Sequence, residues 1–310
     1  MWIVLMLALS VGVGQMAVAA PESDLSLKAI VDKGYLVVGL DDTFPPMGFR
    51  DESGELVGFD IDLAREVTDR MGAQLRLQPI VWNAKEQALS AGEIDCIWSG
   101  MTITPARLQS MSISVAYMGN EQCLIVKSDS EIYSLDDIAG KWLGLQAGSS
   151  AEDAQLALDE APDFRVTLSG LQSFVHELAA IKALDDGLVD AVLLDKFVAD
   201  YVMAKNPDKY EMLPESLALG YLGVGFRKDD IALTNAVNEA LTSMAEDGTL
   251  ADISTHWFGE DVTTVSDPPD DPAFMSDAVV DEEDVDFLDD YEEGDFEDDD
   301  EDYDEDFDED

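Results

Sequence analysis

Residues 35–40 read YLVVGL, and residues 58–72 read GFDIDLAREVTDRMG. The first is a continuous apolar, β-rich run, the pattern of a strand buried on both faces. The second places Ile61, Ala64, Val67 and Met71 on one helical face. Its acidic start suits the positive end of a helix dipole, and Gly72 closes it. A buried strand that feeds an amphipathic helix is half of a βα unit.

The same alternation continues outward. Strands are expected over Leu75–Trp82, Asp95–Trp98 and Gln122–Val126, with a short helix over Lys85–Ala91. Thr104-Pro105 has the form of a helix N-cap followed by proline at the first helical position. A second set then begins. Strands are expected at Lys141–Leu145, Arg165–Leu168, Asp190–Leu194 and Leu222–Phe226. Helices are expected at Ala151–Asp159, Ser173–Leu184, Lys196–Ala204 and Ile231–Glu246, the last closed by Asp247-Gly248. Two successive βα sets imply an α/β protein of two lobes with largely parallel sheets.

Composition narrows the function. The 310 residues hold 17 Lys+Arg against 68 Asp+Glu, a formal charge of −51. Such a surface repels phosphate backbones, which argues against a nucleic-acid partner. The charge is uneven, because residues 267–310 contain 26 acids and no Lys or Arg. Pro268, Pro269 and Pro272 punctuate the start of this tail. Its self-repulsion and small apolar content predict a disordered segment, dispensable for ligand capture. At the other end, Trp2 to Val13 is an apolar run and Ala17-Val18-Ala19 a small-residue cleavage site. Residues 1–20 are therefore expected to be an export signal, although no Lys or Arg precedes the apolar run. A soluble protein in the periplasm or on the extracellular face of the cell membrane is the expectation. Cys96 and Cys123 are too few for a disulfide scaffold or a four-ligand zinc site. They could pair in an oxidising compartment or remain buried thiols, and sequence alone leaves both open. His176 and His256 lie in separate segments without neighbouring Cys or His, and nothing points to a metal or a cofactor. No phosphate-binding glycine loop and no nucleophile elbow is present.

The motif Gly58-Phe59-Asp60-Ile61-Asp62-Leu63-Ala64 resembles the signature of the family 3 extracellular solute-binding proteins. The resemblance extends in order along the chain. It takes in Asp41-Asp42-Thr43-Phe44-Pro45-Pro46-Met47, the segment from Ile94 to Arg107, and Gln146-Ala147-Gly148-Ser149-Ser150. Val189 to Asp195, Gly225-Phe226-Arg227-Lys228 and Asp247-Gly248-Thr249 complete it. It implies a two-lobe, type II periplasmic-binding-protein-like fold with a cleft between the lobes. Residues 24–121 and 221–262 would form lobe 1 and residues 122–220 lobe 2, followed by the acidic tail 267–310.

A free amino acid needs a cation for its carboxylate and an anion for its ammonium. Arg107 offers a planar fork and, by the resemblance, is the carboxylate clamp. Asp195 would hold the ammonium, and Ser149 and Ser150 lie at a turn into a helix whose free N–H groups attract an anion. Thr102 and the backbone at Ser99 and Gly100 would assist. Phe44 and Trp82 would wall the ligand side chain, and Asp41 could meet a polar or cationic end. The implied function is a non-enzymatic, monomeric carrier that closes about its hinge on an amino acid and delivers it to an ABC-type permease. Two alternatives stand beside it: a non-transport amino acid sensor, and a cyclohexadienyl or arogenate dehydratase-like enzyme on the same fold.

Overall fold

The computed structural model describes residues 24–152 and 168–267. The expected export signal falls outside this range, as do most of the Ala151–Asp159 helix, the Arg165–Leu168 strand and all of the acidic tail after Asp267. Two sheets organise the rest. The first is five-stranded, with Tyr35–Leu40 at its heart in parallel register with both Gln74–Pro79 and Cys96–Ile97. Gly225–Arg227 and Met111–Ile113 extend it antiparallel. The second sheet runs Trp142–Gln146 parallel to Gly170–Phe174 and to Ala191–Asp195. Its backbone is the long strand Ala116–Lys127, to which Ala191–Asp195, Tyr210–Met212, Ala218–Leu222 and Thr263–Ser266 pair antiparallel. The α/β two-lobe expectation holds, but the sheets are mixed rather than largely parallel, because the long strand Ala116–Lys127 pairs antiparallel with each of its neighbours.

The chain passes between the two sheets three times, at Ser114, at Gly223 and before Thr263–Ser266, and the first two crossings lie side by side. Ser114 follows the last first-sheet strand on the way to Ala116, and Gly223-Val224 separates Ala218–Leu222 from Gly225–Arg227. The two crossings are tied together. Ser114 N–H donates to the Val224 carbonyl at 3.0 Å, and Val224 N–H donates to Ser114 Oγ at 2.9 Å.

Several expected elements need correction. The strand after the helix Phe59–Arg70 ends at Pro79, which has no N–H for a ladder, and Trp82 starts a short 3₁₀ turn instead. Residues 173 and 174 belong to a strand rather than a helix. Five successive pairings with Trp142–Gln146 hold them extended, so the helix starts only at Glu177, after an extended His176. The run Leu222–Phe226 is not one strand, because the sheet changes at Gly223. The Gln122–Val126 strand is only half of a longer one.

The motif at residues 58–64 has a structural account. Gly58 adopts φ 147°, and a Cβ there would sit 2.2 Å from the Met47 carbonyl oxygen. That close approach lets the Phe59 and Asp60 N–H groups, otherwise orphaned at a helix start, donate to the Pro46 and Met47 carbonyls at 2.9 and 3.0 Å. Phe59 packs edge-on to Phe258, and Asp62 accepts from the Trp257 indole at 2.9 Å. The helix is thereby pinned to both the turn before it and the C-terminal helix Thr249–Phe258.

Cys96 and Cys123 are buried, unpaired and on different sheets. Burial pushes both thiols upward in pKa, away from the reactive thiolate. Thiol titration in denaturant without reductant should count two free thiols, and native protein should react far more slowly. Gly58→Ala should lower the unfolding free energy by about 2–4 kcal/mol, from the forced conformation and the clash with Met47. Urea denaturation of the variant against the parent measures it.

Candidate functional site

In open parallel sheets, functional groups gather beyond the carboxyl ends of the strands. Here four such ends face one another. Tyr35–Leu40 leads into Asp41, and Cys96–Ile97 leads through Trp98 into Ser99 and Gly100. From the other lobe, Trp142–Gln146 leads into the turn at Gly148, Ser149 and Ser150, and Ala191–Asp195 ends on Asp195 itself. Asp41, Ser99, Gly100, Ser149, Ser150 and Asp195, together with Phe44, Trp82, Arg107 and Gln146, line a narrow cavity of about 10 Å³. Nine of the residues singled out from sequence line it. The tenth, Thr102, stands just behind, its hydroxyl 3.0 Å from Ser150 Oγ.

Arg107 is carried on the helix Pro105–Ser110, whose N-cap Thr104 accepts from the Arg107 N–H at 3.3 Å. Its guanidinium is buried and aimed across the cleft, donating to the Thr102 carbonyl at 2.6 Å and toward the Gly148 carbonyl at 3.4 Å. Lys85 Nζ donates to the same carbonyl at 2.8 Å and rides over the Trp82 ring at 4.7 Å. Two cations thus converge on one carbonyl, forming a positive end of the cleft.

The negative end is built around Asp41 and Asp195. Asp41 is 3% exposed and fully engaged. Its Oδ1 accepts from the Thr43 N–H and hydroxyl at 2.9 and 2.6 Å, and its Oδ2 accepts from Gln146 Nε2 at 2.8 Å. Ser99 Oγ fixes the Asp41 backbone at 3.1 Å. Asp195 occupies a helix N-cap position, yet its side chain takes no helix N–H. It points into the cleft, where Asn120 Nδ2 and Gln122 Nε2 each donate to Oδ1 at 2.5 Å. Burial pushes this carboxyl above the ordinary range, against the pull of those two amides. Phe44 meets Phe197 of the other lobe edge-on at 5.5 Å, and Gly100 gives them room. A Cβ at Gly100 would lie 2.6 Å from the Phe44 ring, and its φ of 54° also favours glycine.

Sequence reasoning missed Lys85, Asn120, Gln122, Gln146 and Glu177. Asn120 and Gln122 carried a readable signal, since two amides at i and i+2 of one strand point to one face. Gln146 likewise ends a strand, as Asp195 does. His176, expected to be structural or solvated, sits at the cleft edge with Nδ1 3.7 Å from Asp41 Oδ1. Among the described residues no cluster of His, Cys, Asp and Glu is arranged to hold a metal ion, and no helix is long and apolar enough to cross a membrane.

Beneath the cavity, Asp60 accepts the Gly100 N–H at 2.5 Å through Oδ2. Its Oδ1, the Trp98 indole and the Tyr117 hydroxyl are buried together without completing hydrogen bonds. Burial raises the Asp60 pKa from the usual 3.8 to about 7. Between those values the folded protein holds a proton that the unfolded chain has released, so stability falls as pH rises through this window and then levels. Asp60→Asn keeps an acceptor for Gly100 but removes the titration. Unfolding midpoints followed from about pH 4 to 8 should therefore decline less steeply in the variant than in the parent.

A family model described as bacterial extracellular solute-binding proteins, family 3, matches residues 36–260. The L-cystine-binding protein TcyJ of Escherichia coli is 30% identical over 76% of this chain and 87% of its own. The arginine-binding extracellular protein ArtP of Bacillus subtilis is 29% identical over 73% and 87%. A crystal structure of an ABC uptake transporter substrate-binding protein from Streptococcus pneumoniae with bound histidine is 35% identical, with a TM-score of 0.73 over 78% of this chain and 99% of the other. By their names, these three relatives are binding proteins and not enzymes.

Proposed function

Because this chain belongs to the bacterial extracellular solute-binding proteins, family 3, we propose that it captures a free amino acid between its two lobes and passes it to an ABC-type permease. The observation that carries this reading is one narrow cavity between the lobes with Arg107 and Asp195 both on its wall. A zwitterion offers a carboxylate to the first and an ammonium to the second. Ser149 and Ser150, from the second lobe, and Thr102 and the Ser99-Gly100 backbone, from the first, supply the shorter hydrogen bonds. Phe44 and Trp82 wall the side chain, and Asp41 faces its far end. Relatives named for cystine and arginine binding, and one solved with histidine, agree with an amino acid ligand.

The lobes are residues 24–121 with 221–262, and residues 122–220. Ligand binds one lobe first, and contacts with the other stabilise the closed form, so affinity arises from differential contact between open and closed states. The cross-lobe bonds Gln146–Asp41 and Lys85–Gly148 mark where that closure is made. The protein works outside the cytoplasm, as a monomer, and performs no chemistry on its ligand. The cleft holds its two charge-bearing ends apart, Arg107 and Lys85 against Asp41 and Asp195, which suits retention of a zwitterion.

A thermal-shift screen over the common amino acids and cystine identifies the ligand. At 100 times Kd it should add about 2.7 kcal/mol of stability. Arg107→Ala and Asp195→Asn should each weaken binding at least about tenfold, since removing one partner of a desolvated charge pair typically costs ~2–5 kcal/mol. Both should stay folded by circular dichroism. Calorimetry that found both variants binding like the parent would overturn the amino acid assignment.

A further inference from the structure

Glu177 opens the helix Glu177–Asp185 and is 1% exposed. Neither carboxyl oxygen has a well-formed hydrogen bond, the Asp195 backbone N–H being the one donor beside them. A buried carboxylate with both oxygens unmet is costly, and its situation explains why this one persists. Its carboxyl lies against that of Asp195, whose Oδ1 already takes the two amides of Asn120 and Gln122. Two ionised carboxylates cannot donate to each other. One proton between them turns the clash into an O–H···O⁻ hydrogen bond and gives Glu177 its partner.

We propose that Glu177 is a second carboxyl of the cleft's negative end, sharing one proton with Asp195 that is expelled to solvent when the ammonium of a bound ligand enters. This rests on the amino acid reading above. Before binding, the pair carries one negative charge. Afterwards it carries two, one offset by the ammonium, and the displaced proton passes to the buffer. The surroundings support a proton held tightly before binding. Burial pushes the Glu177 pKa well up, and the Asp195 and Asp41 carboxylates push it further. Arg107, from the helix across the cleft, pulls the other way on Asp195. The facing residues of the long strand, Asn120 and Gln122, are neutral. His176, the residue before Glu177, also lies beside Asp41, its Nδ1 3.7 Å from Oδ1.

The test is calorimetric titration of the full chain with L-arginine and with L-cystine, in phosphate and in Tris, between about pH 6 and 8. The parent should release about one proton per ligand bound. Its affinity should rise with pH by up to about tenfold per unit while the pair is protonated. Glu177→Gln should bind without proton release and with a flat profile, whereas His176→Gln should keep the parent's slope. No release from the parent, release persisting in Glu177→Gln, or loss of the slope in His176→Gln would each overturn the proposal. A ligand-free arm separates this from the function itself. Because the folded state holds the extra proton, urea stability of the parent should fall with rising pH relative to Glu177→Gln. If neither amino acid binds, the expulsion step fails for both probes, and the wider amino acid screen, not this titration, decides the functional reading. The stability arm still decides whether the two carboxyls share a proton.

Discussion

Everything in the cleft depends on keeping the Asp195 carboxyl in place after water has been shut out. Desolvation alone would neutralise or eject it. Asn120 and Gln122 oppose this by donating two short bonds to one oxygen, and they can do so because they lie two residues apart on a single strand. That strand also carries the antiparallel pairing of Ala191–Asp195, residue by residue, so donor and acceptor are fixed by the same ladder. Arg107 is fixed differently, through a helix cap and a bond to the Thr102 carbonyl. One partner is set by a sheet and the other by a helix start, each from its own lobe. The cavity exists only where those two frameworks meet.

The readable part of this architecture was the part written in local periodicity. The apolar run at Tyr35–Leu40 and the helical face of Ile61, Ala64 and Val67 are local signals, and the fold has them where expected. Site residues at strand ends were legible too, because Asp41, Ser99, Gly100 and Asp195 follow apolar runs directly. Residues whose importance comes from a distant partner were not. Glu177 reads as an ordinary first-turn acid, and only the packing of its helix against Asp195 makes it unusual. Lys85 reads as a surface lysine, yet the Trp82 ring and the Gly148 carbonyl, 63 residues away, enclose its ammonium. Asp60 reads as helix-dipole compensation and is instead buried under the Gly100 turn. Element boundaries failed where pairing overrode propensity, as at Ser173 and Phe174.

The cleft is also polarised along its length. Arg107 and Lys85 share the Gly148 carbonyl at one end, while Asp41, Glu177 and Asp195 gather at the other. The Gln146 amide reaches Asp41 from the opposing lobe, so a neutral side chain bridges lobes at the anionic end without adding charge. At the cationic end the bridge is a backbone carbonyl. Each bridge thus sets one formal charge against a neutral group of the other lobe, so no cation–anion pair is spent on closure itself.

The antiparallel pairing of residues 118–122 with residues 218–222, where the chain crosses between the lobes, has a consequence for entropy. Two independent crossings would let the lobes bend, twist and slide, and each such freedom would have to be given up when the cleft shuts. Tying the crossings to one another leaves a narrow family of relative orientations. Most of the ordering cost is then met when the polypeptide folds, before any solute arrives, and capture can be tight without a large contact area.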